Sequence, residues 1–344
     1  MIKQGKLVSG LAAMATLTAG LTVAQGAMAA EELQMSYFVG QRHPMVKAVV
    51  VPLQEKLAEL SGGELTVKVH FGGSLVKGGP PQYGALLQGV SDLAFSLPGY
   101  LGPKFPFSNT VTIPGITQSA EDATNKLWNA MDVVETEYDA KIIALWAVDP
   151  KIVLTRKPIN ALSDLKGLKL RVTSKQDESY VNRLGAVSVA SGVTVVHQNF
   201  TNGVIDGVHI GASAIRSFKL HEPAEYVVTN LPPSMSPIYI LMNQQKFDSL
   251  TPNQQGWINQ VAGRDLSLGG GTGYDKVGLG GLKFATDNGV KTIALSDAEK
   301  VRWQAAMQPE VDKFLDAKID VSSSSSKVDI TGREFVAKLN AKTN

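Results

Sequence analysis

The sequence predicts an α/β protein of two lobes, arranged as a clamshell in which crossing segments join the lobes. Three observations predict this fold class. Segments of alternating apolar residues take turns with segments of helical apolar spacing along most of the chain. The length of 344 residues suits two domains of about 150 residues each. Asp149-Pro150 interrupts the alternation near the middle of the chain, where a first crossing between lobes is expected.

The first 29 residues have the pattern of a secretory signal peptide. Two lysines precede a stretch of mostly apolar residues at 7–23, and residues 27–29 (Ala-Met-Ala) form a small-x-small cleavage site. Polar residues and glycines interrupt the apolar stretch, which argues against the alternative of a membrane anchor. We therefore expect a mature chain that starts at Ala30, is exported to the periplasm and does not insert into the membrane.

Charge and cysteine content bound the partner classes. Without the two lysines of the leader, the 33 Lys and Arg residues fall to 31 and match the 31 Asp and Glu residues. A chain of zero net charge gives no reason to expect nucleic acid or an anionic membrane as a partner. Cysteine is absent, and a mature chain of about 315 residues buries enough surface to be stable without disulfides. Export, two lobes and no cofactor motif favour a monomer that captures a small molecule.

The first half of the mature chain predicts a lobe with a mostly parallel sheet. Its strands alternate polar and apolar residues or form short apolar runs, and its helices repeat apolar residues every three or four positions. The predicted strands are 33–40, 64–71, 92–97 and 141–148, and the predicted helices are 45–60, 83–90 and 120–139.

The second half predicts the other lobe and a return crossing. The predicted strands are 151–155, 168–172, 186–189 and 237–243, and the predicted helices are 177–184, 194–200 and one that starts at Thr251. Thr251 followed by proline is a typical helix start. The domain prediction is a signal peptide at 1–29, one lobe of 30–149 plus about 234–275, a second lobe of 150–233 plus about 276–320 with the spanning helices, and a tail of 321–344.

Seven glycines fall between residues 269 and 281, where the flanks predict one continuous helix. Each interior glycine costs a helix roughly 1 kcal/mol relative to alanine. The helix is therefore either broken there or packed very closely against the other lobe. A phosphate-binding loop is not supported, because the Gly-Lys-Ser/Thr ending is missing.

The five serines at 322–326 predict a flexible linker before a short C-terminal helix.

No arrangement of residues predicts catalysis or a metal site. None of the five histidines pairs with another at the spacing that a zinc hydrolase needs, and without cysteine no thiolate site can form. Ser213 lies in Gly-Ala-Ser-Ala and lacks the second glycine of a nucleophile elbow. We expect no catalytic residue, no metal and no cofactor.

Arg171 is the first candidate for ligand binding. It closes residues 164–172 (Asp-Leu-Lys-Gly-Leu-Lys-Leu-Arg-Val), which predict a short strand entered from a glycine turn. A guanidinium on a rigid strand facing a cleft can hold a carboxylate by two parallel hydrogen bonds. From this segment alone, the alternative is a surface arginine on an edge strand.

Taken in order, several segments resemble the periplasmic solute-binding proteins of tripartite ATP-independent periplasmic (TRAP) transporters, of the DctP type. The resemblance spans nearly the whole mature chain with colinear spacing. The segments that carry it are Gly72-Gly-Ser-Leu75, Asp92-Leu-Ala-Phe-Ser, Pro158-Ile with residues 164–172, Leu184-Gly-Ala, Gly203-Val-Ile-Asp-Gly207, Met242-Asn, and Phe247-Asp-Ser-Leu-Thr-Pro-Asn-Gln254.

The resemblance implies two α/β lobes that close over a small organic acid, with Arg171 paired to its carboxylate. It also implies that the ligand is handed to the subunits of a membrane permease, which an ion gradient drives without ATP. Closure strengthens the charged pair, because it excludes water from the cleft. Two alternatives stay open at this point: an exported enzyme that acts on a small carboxylate, and a ligand-sensing subunit with the same fold.

The sequence departs from the family pattern at positions that concern the ligand. Val195 stands where members often carry glutamate. Ile210 stands where many carry an asparagine whose amide contacts the ligand. Because Ile210 cannot donate that hydrogen bond, the role is lost or passes to His209 or Ser213. Lys151 stands where some relatives have a second cation, and we consider it as an auxiliary charge.

These departures predict a pocket that is less polar than a sugar acid requires. Aromatic residues near predicted strand ends are further candidates for its walls, with core packing as the alternative for each: Tyr37, Phe38, Tyr100 and Trp146. The sequence therefore favours an aromatic or otherwise apolar monocarboxylate, without identifying the acid.

Overall fold

Two β-sheets with helices packed on them form the framework of the protein. The computed structural model describes residues 30–322 and 327–341, so the predicted signal peptide lies outside the described residues. The strands are β1 (Glu31–Tyr37), β2 (Leu65–His70), β3 (Leu93–Ser96), β4 (Ala140–Ala147), β5 (Lys151–Thr155), β6 (Lys169–Val172), β7 (Val187–Ala190), β8 (Gly207–Gly211), β9 (Tyr226–Thr229), β10 (Pro237–Asn243), β11 (Lys291–Ala294), β12 (Lys318–Ser322) and β13 (Lys327–Thr331). The α-helices are α1 (Val51–Ser61), α2 (Gln82–Leu87), α3 (Ala120–Asn129), α4 (Met131–Val134), α5 (Lys175–Arg183), α6 (Val196–Thr201), α7 (Ala214–Ser217), α8 (Gln244–Ser249), α9 (Pro252–Val261), α10 (Arg264–Asp287), α11 (Asp297–Asp316) and α12 (Gly332–Leu339).

Each sheet mixes parallel and antiparallel pairs. The first has the strand order β2-β1-β3-β10-β4, and the second has the order β11-β9-β5-β8-β6-β7. In the first sheet β1 is parallel to β2 and β3, whereas β10 is antiparallel to β3 and β4. In the second, β6 is parallel to β7 and β8, and β5 is antiparallel to β8 and β9. The prediction of a two-lobe α/β protein is confirmed, and each lobe is built on one of these sheets.

The chain crosses between the sheets after β4 and again before β10, and the two crossings lie side by side. The backbone N–H of Val148 donates to the carbonyl oxygen of Ser236 at 2.8 Å, and that of Lys151 donates to Ser234 at 3.0 Å. Asp149-Pro150 therefore lies within the first crossing, where the sequence predicts one. The two crossings are hydrogen-bonded to each other rather than independent.

The glycine-rich segment is part of one continuous helix, α10. A Cβ atom on Gly270 would lie 2.6 Å from Cδ1 of Trp146, and one on Gly281 would lie 2.1 Å from the carbonyl oxygen of Ala212. Trp146 belongs to β4 of the first sheet, whereas Ala212 follows β8 of the second. Of the two alternatives, close packing describes the structure, because the missing side chains let one helix contact both lobes.

The predicted helix 120–139 is interrupted. α3 ends at Asn129, and Ala130 separates it from α4 with φ −112° and ψ 25°. No glycine or proline marks this break in the sequence. It coincides with a tertiary contact, since Nδ2 of Asn129 donates to the carbonyl oxygen of Leu339 in α12 at 3.1 Å.

Paired strands flank the serine run near the C-terminus. Ser322 is the last residue of β12 and lies opposite Lys327 of the antiparallel strand β13, so the linker prediction is wrong for Ser322. Residues 323–326 lie outside the described part of the chain. α12 follows β13 and begins with a capping box between Thr331 and Glu334.

Within residues 30–322 and 327–341, no helix combines the length and the apolar character needed to cross a membrane.

Candidate ligand site

A cavity lies between the two sheets, with walls from both lobes and from α10. The space between these walls is about 590 Å³, including the part that is open to solvent. Apolar and aromatic side chains form most of its wall, including Phe38 and Phe95 from one lobe and Ile210 from the other. The polar side chains of the wall are His43, Tyr100, Arg171, Thr173, Ser213, Ser236 and Tyr274. Among the described residues, no Asp or Glu lines the cavity.

Arg171 reaches this cavity from β6 and is 1% exposed. Its Nε donates to the carbonyl oxygen of Ser191 at 3.0 Å, and its Nη2 donates to the same oxygen. Nη1 donates to Oγ1 of Thr173 at 3.1 Å. These bonds fix the plane of the guanidinium, and burial lowers its pKa. In the described ranges, no Asp or Glu forms an ion pair with Arg171.

Tyr100 lies beside the guanidinium. Its hydroxyl accepts a hydrogen bond from the backbone N–H of Val193 at 3.3 Å and interacts with the Arg171 side chain. Burial raises the pKa of Tyr100, so the hydroxyl stays protonated. A Cβ atom on Gly79 would lie 2.1 Å from the tyrosine ring, so glycine at that position makes room for it. Phe38 packs edge-on to the same ring, with centroids 6.3 Å apart. Phe38 and Tyr100, which are candidate wall residues from the sequence, both line the cavity.

Ser213 lines the cavity, and Asp149 holds its side chain. The carboxylate of Asp149 accepts hydrogen bonds from the Ser213 backbone N–H at 3.1 Å and from the Ser213 hydroxyl. Asp149 is 2% exposed, and burial raises its pKa to about 7. Sequence reasoning assigned Asp149 only to the crossing. Its role beside Ser213 depends on tertiary contact, since the two residues are 64 positions apart.

Two predicted site residues, Lys151 and His209, do not line the cavity. Lys151 forms an ion pair with Asp177, and the two side chains are 2% and 1% exposed, so its charge is already neutralised. His209 is next to Ile210 in β8, and neighbouring residues of a strand point to opposite faces. Ile210 takes the cavity face, while His209 faces the side where Asp177 lies. The auxiliary-cation role of Lys151 and direct ligand contact by His209 are therefore not supported.

Tyr37 and Trp146 also lie behind the wall rather than in it. Tyr37 is fully buried and stacks on Phe95, with centroids 4.2 Å apart. Trp146 is fully buried against Gly270 of α10. For these two aromatic residues, the core-packing alternative describes the structure.

His43 and Tyr274 line the cavity, and sequence reasoning missed both. Nδ1 of His43 is 2.8 Å from the hydroxyl of Tyr37, and its Nε2 is 3.5 Å from the hydroxyl of Tyr274. Burial lowers the pKa of His43 to about 4, so the imidazole is neutral at neutral pH. The available signal was position, because His43 follows the carboxyl end of β1, where ligands bind in open α/β sheets.

The arrangement suits an anion with an apolar body. One fixed guanidinium supplies the charge, neutral hydroxyls and an imidazole supply hydrogen bonds, and aromatic or aliphatic groups supply the remaining contact area. Among the residues that the structure describes, no three His, Asp or Glu side chains come together in a way that could hold a metal ion.

Comparison with known proteins gives a family match across most of the chain. The family model described as bacterial extracellular solute-binding protein, family 7 (DctP), matches residues 35–318. The outer membrane transporter protein TsaT of Comamonas testosteroni is 22% identical over 309 residues, which are 88% of this chain and 90% of TsaT.

Solved structures share the fold. A TRAP solute-binding protein from a marine metagenome, specific for aromatic acids and co-crystallised with 3-hydroxybenzoate, superposes with a TM-score of 0.80 at 24% identity, covering 90% of this chain and 97% of that one. A TRAP solute-binding protein from Rhodoferax ferrireducens, in complex with copurified benzoate, superposes with a TM-score of 0.79 at 20% identity, covering 90% and 96%. The family model over residues 35–318 confirms the family resemblance found in the sequence: this chain belongs to family 7 (DctP) of the bacterial extracellular solute-binding proteins.

Proposed function

We propose that this chain captures a small monocarboxylate with an aromatic or otherwise apolar body in the periplasm and delivers it to a TRAP permease. The observation that carries the proposal is Arg171, a buried guanidinium without a carboxylate partner in the described chain, at the wall of a largely apolar cavity. Burying an unpaired charge costs several kcal/mol, roughly, and an opposite charge in hydrogen-bonding geometry offsets that penalty. A ligand carboxylate is the partner that fits.

The rest of the wall supports an apolar ligand body. Ile210 occupies the cavity face of β8 and offers no hydrogen bond, and Phe38 and Phe95 cover the opposite side. A sugar acid would leave several hydroxyl groups unpaired against these side chains, at a cost of about 1–3 kcal/mol for each buried group. Relatives of this fold bind different acids, including benzoate and (R)- and (S)-mandelate in two cases and glucuronate in another. The largely apolar wall of this cavity favours acids such as benzoate and mandelate over glucuronate.

A thermal-shift screen tests the ligand class. Benzoate, mandelate and 3-hydroxybenzoate at about 100 times their dissociation constants should stabilise the protein by roughly 2.7 kcal/mol. Benzamide has the same ring without the charge and is the matched control; it should produce no shift. Glucuronate carries the charge on a polar body and should produce no shift either. A larger shift with glucuronate than with any aromatic acid would contradict the proposed ligand class.

We propose that the protein is a monomeric binding protein rather than an enzyme. The family and the structural relatives are solute-binding proteins. The bound acid should be recovered unchanged when protein and acid are incubated together and analysed by mass spectrometry. Conversion of the acid would instead support the enzyme alternative.

A further inference from the structure

We propose that a basic groove at the mouth of the cavity draws organic anions from solvent towards Arg171. We call it the mouth groove. It is lined by residues 39–44, Lys47, residues 213 and 216–219, residues 276–277 and residues 280–281. Val39, His43, Pro44, Ser213 and Phe218 line both the mouth groove and the ligand cavity. The groove therefore lies next to the cavity and shares part of its wall, and the inference rests on the proposed anionic ligand.

The charged side chains that line the mouth groove all carry the same sign. They are Arg42, Lys47, Arg216, Lys219 and Lys276, and each of these residues is exposed. None of the groove-lining residues in the described part of the chain is Asp or Glu. In the described parts of the chain, Lys219 pairs with Glu222 at 3.9 Å, and no ion pair involves the other four. The groove therefore presents its positive charge to solvent.

The clustering is not a by-product of one helix face or of a basic chain. Arg42 and Lys47 follow β1 of the first lobe, Arg216 and Lys219 lie in or just after α7 of the second, and Lys276 is in α10. The full chain carries a net charge of only +2, so a groove with five cations and no acid is a local concentration. Both lobes and the spanning helix contribute to it.

A groove of one sign between low-dielectric walls focuses the electric field and raises the local concentration of the opposite ion. Such steering raises association rates by about 10- to 1000-fold and falls with ionic strength. Exposed charges act over about 10 Å at 0.1 M salt, so these cations influence an anion in the groove but not one far from it. The expected effect is on the association rate, because the bound acid contacts Arg171 rather than the groove.

The first test measures the potential in the groove without any ligand. The chain has no cysteine, so a single Ser217→Cys variant is labelled only in the groove. The probes are an anionic methanethiosulfonate (sulfonatoethyl) and a cationic one (trimethylammonioethyl). Ser249→Cys, on an exposed part of α8, is the matched control. The ratio of anionic to cationic labelling rates should be about tenfold higher at 217 than at 249 at low salt.

The second test measures the association of benzoate by stopped-flow fluorescence. Arg42→Gln, Lys47→Gln and Lys276→Gln together should lower the association rate about tenfold at low salt and leave the dissociation rate unchanged. Replacing Lys166, Lys169 and Lys313 with glutamine removes the same charge from exposed positions outside the groove and is the matched control. That control should associate at the wild-type rate.

Separate outcomes overturn separate claims. Equal labelling ratios at 217 and 249 would overturn the mouth groove whatever the ligand is. An unchanged association rate in the groove variant, or an equal loss in the control variant, would overturn its role in steering. A failure of benzoate to bind the wild-type protein would count against the proposed ligand class, while the labelling test would still decide the groove. Normal benzoate kinetics with impaired transport would assign the groove to the permease and overturn the proposal.

Discussion

The second lobe contains two buried cations, Arg171 and Lys151, and only Lys151 has a carboxylate partner in the described chain. Lys151 pairs with Asp177, whereas the hydrogen bonds that Arg171 makes to described residues go to neutral groups such as Ser191 and Thr173. Sequence reasoning could find Arg171 because its strand and motif are local. It could not separate the two cations, because the partner of Lys151 is set by the position of α5 in the fold. Both side chains are buried and only Lys151 has a carboxylate partner in the described chain, which is why we propose Arg171 as the cation that binds the ligand.

Substitution of each cation should separate binding from stability. Arg171→Gln should lower affinity for an aromatic acid at least about 100-fold. The unfolding free energy of the free protein should stay within about 1 kcal/mol of wild type, because loss of the hydrogen bonds to Ser191 and Thr173 offsets the removal of an unpaired buried charge. Lys151→Met should destabilise the protein by about 3–5 kcal/mol, because it leaves Asp177 buried without a partner. Titration calorimetry and urea unfolding measure the two effects. Full affinity in Arg171→Gln would contradict the role of the guanidinium.

Asp149 should make a pH-dependent contribution to stability. Burial raises its folded pKa to about 7 from the usual 3.8, so the folded state binds more protons than the unfolded state between these values. The contribution of Asp149 therefore becomes less favourable as pH rises from about 4 to 7 and is constant above that range. Asp149→Asn keeps the shape and cannot ionise. Its unfolding free energy relative to wild type should rise by roughly 2–4 kcal/mol over this interval.

Urea unfolding of both proteins from pH 4 to pH 8.5 measures this difference. Taking the difference between the variants removes the contributions of other buried groups, including His43, whose lowered pKa acts in the opposite direction. A difference that does not change with pH would show that the carboxyl group of Asp149 titrates normally.

At the scale of elements, α10 determines how the lobes meet. The sequence predicts a helix with seven glycines and leaves two interpretations, because a glycine pattern does not reveal what the bare faces contact. The structure places Trp146 against one end of the helix and Ala212 against the other. α10 also supplies Tyr274, 231 residues from His43. That separation explains why sequence reasoning missed this pair, since no local pattern connects residues that a long helix brings together.

Alanine substitutions at two neighbouring glycines of α10 should change the stability of the protein in opposite directions. A Cβ atom on Gly281 would overlap the carbonyl oxygen of Ala212, whereas one on Gly280 meets nothing within 4 Å. Gly281→Ala should therefore destabilise the protein by about 1–3 kcal/mol. Gly280→Ala should stabilise it by about 0.5–1 kcal/mol, since alanine favours the helix. Urea unfolding compares the two, and equal effects of either sign would contradict close packing at Gly281.

At the scale of the whole molecule, the two-lobe architecture was predictable because periodicity alternates regularly and the crossing carries Asp-Pro. The cavity wall was only partly predictable. Phe38, Tyr100, Arg171 and Ser213 line it, while Tyr37 and Trp146 lie one layer behind. Proximity to a strand end does not decide which side chain faces a cleft, because that depends on how the second lobe and α10 cover the sheet. We infer an apolar monocarboxylate as the ligand from the residues that line this cavity.

The hydrogen bonds between the two crossings have a mechanical consequence. The two crossing segments are joined by hydrogen bonds from the Val148 N–H to the Ser236 carbonyl oxygen and from the Lys151 N–H to the Ser234 carbonyl oxygen. These hydrogen bonds resist sliding of one segment past the other, so we expect the two crossings to move together. Val148 and Ser236 are also cavity residues, and Asp149 between the two bonds holds Ser213. Residues of the segments that join the two lobes therefore also form part of the cavity wall, where a bound ligand would lie beside them.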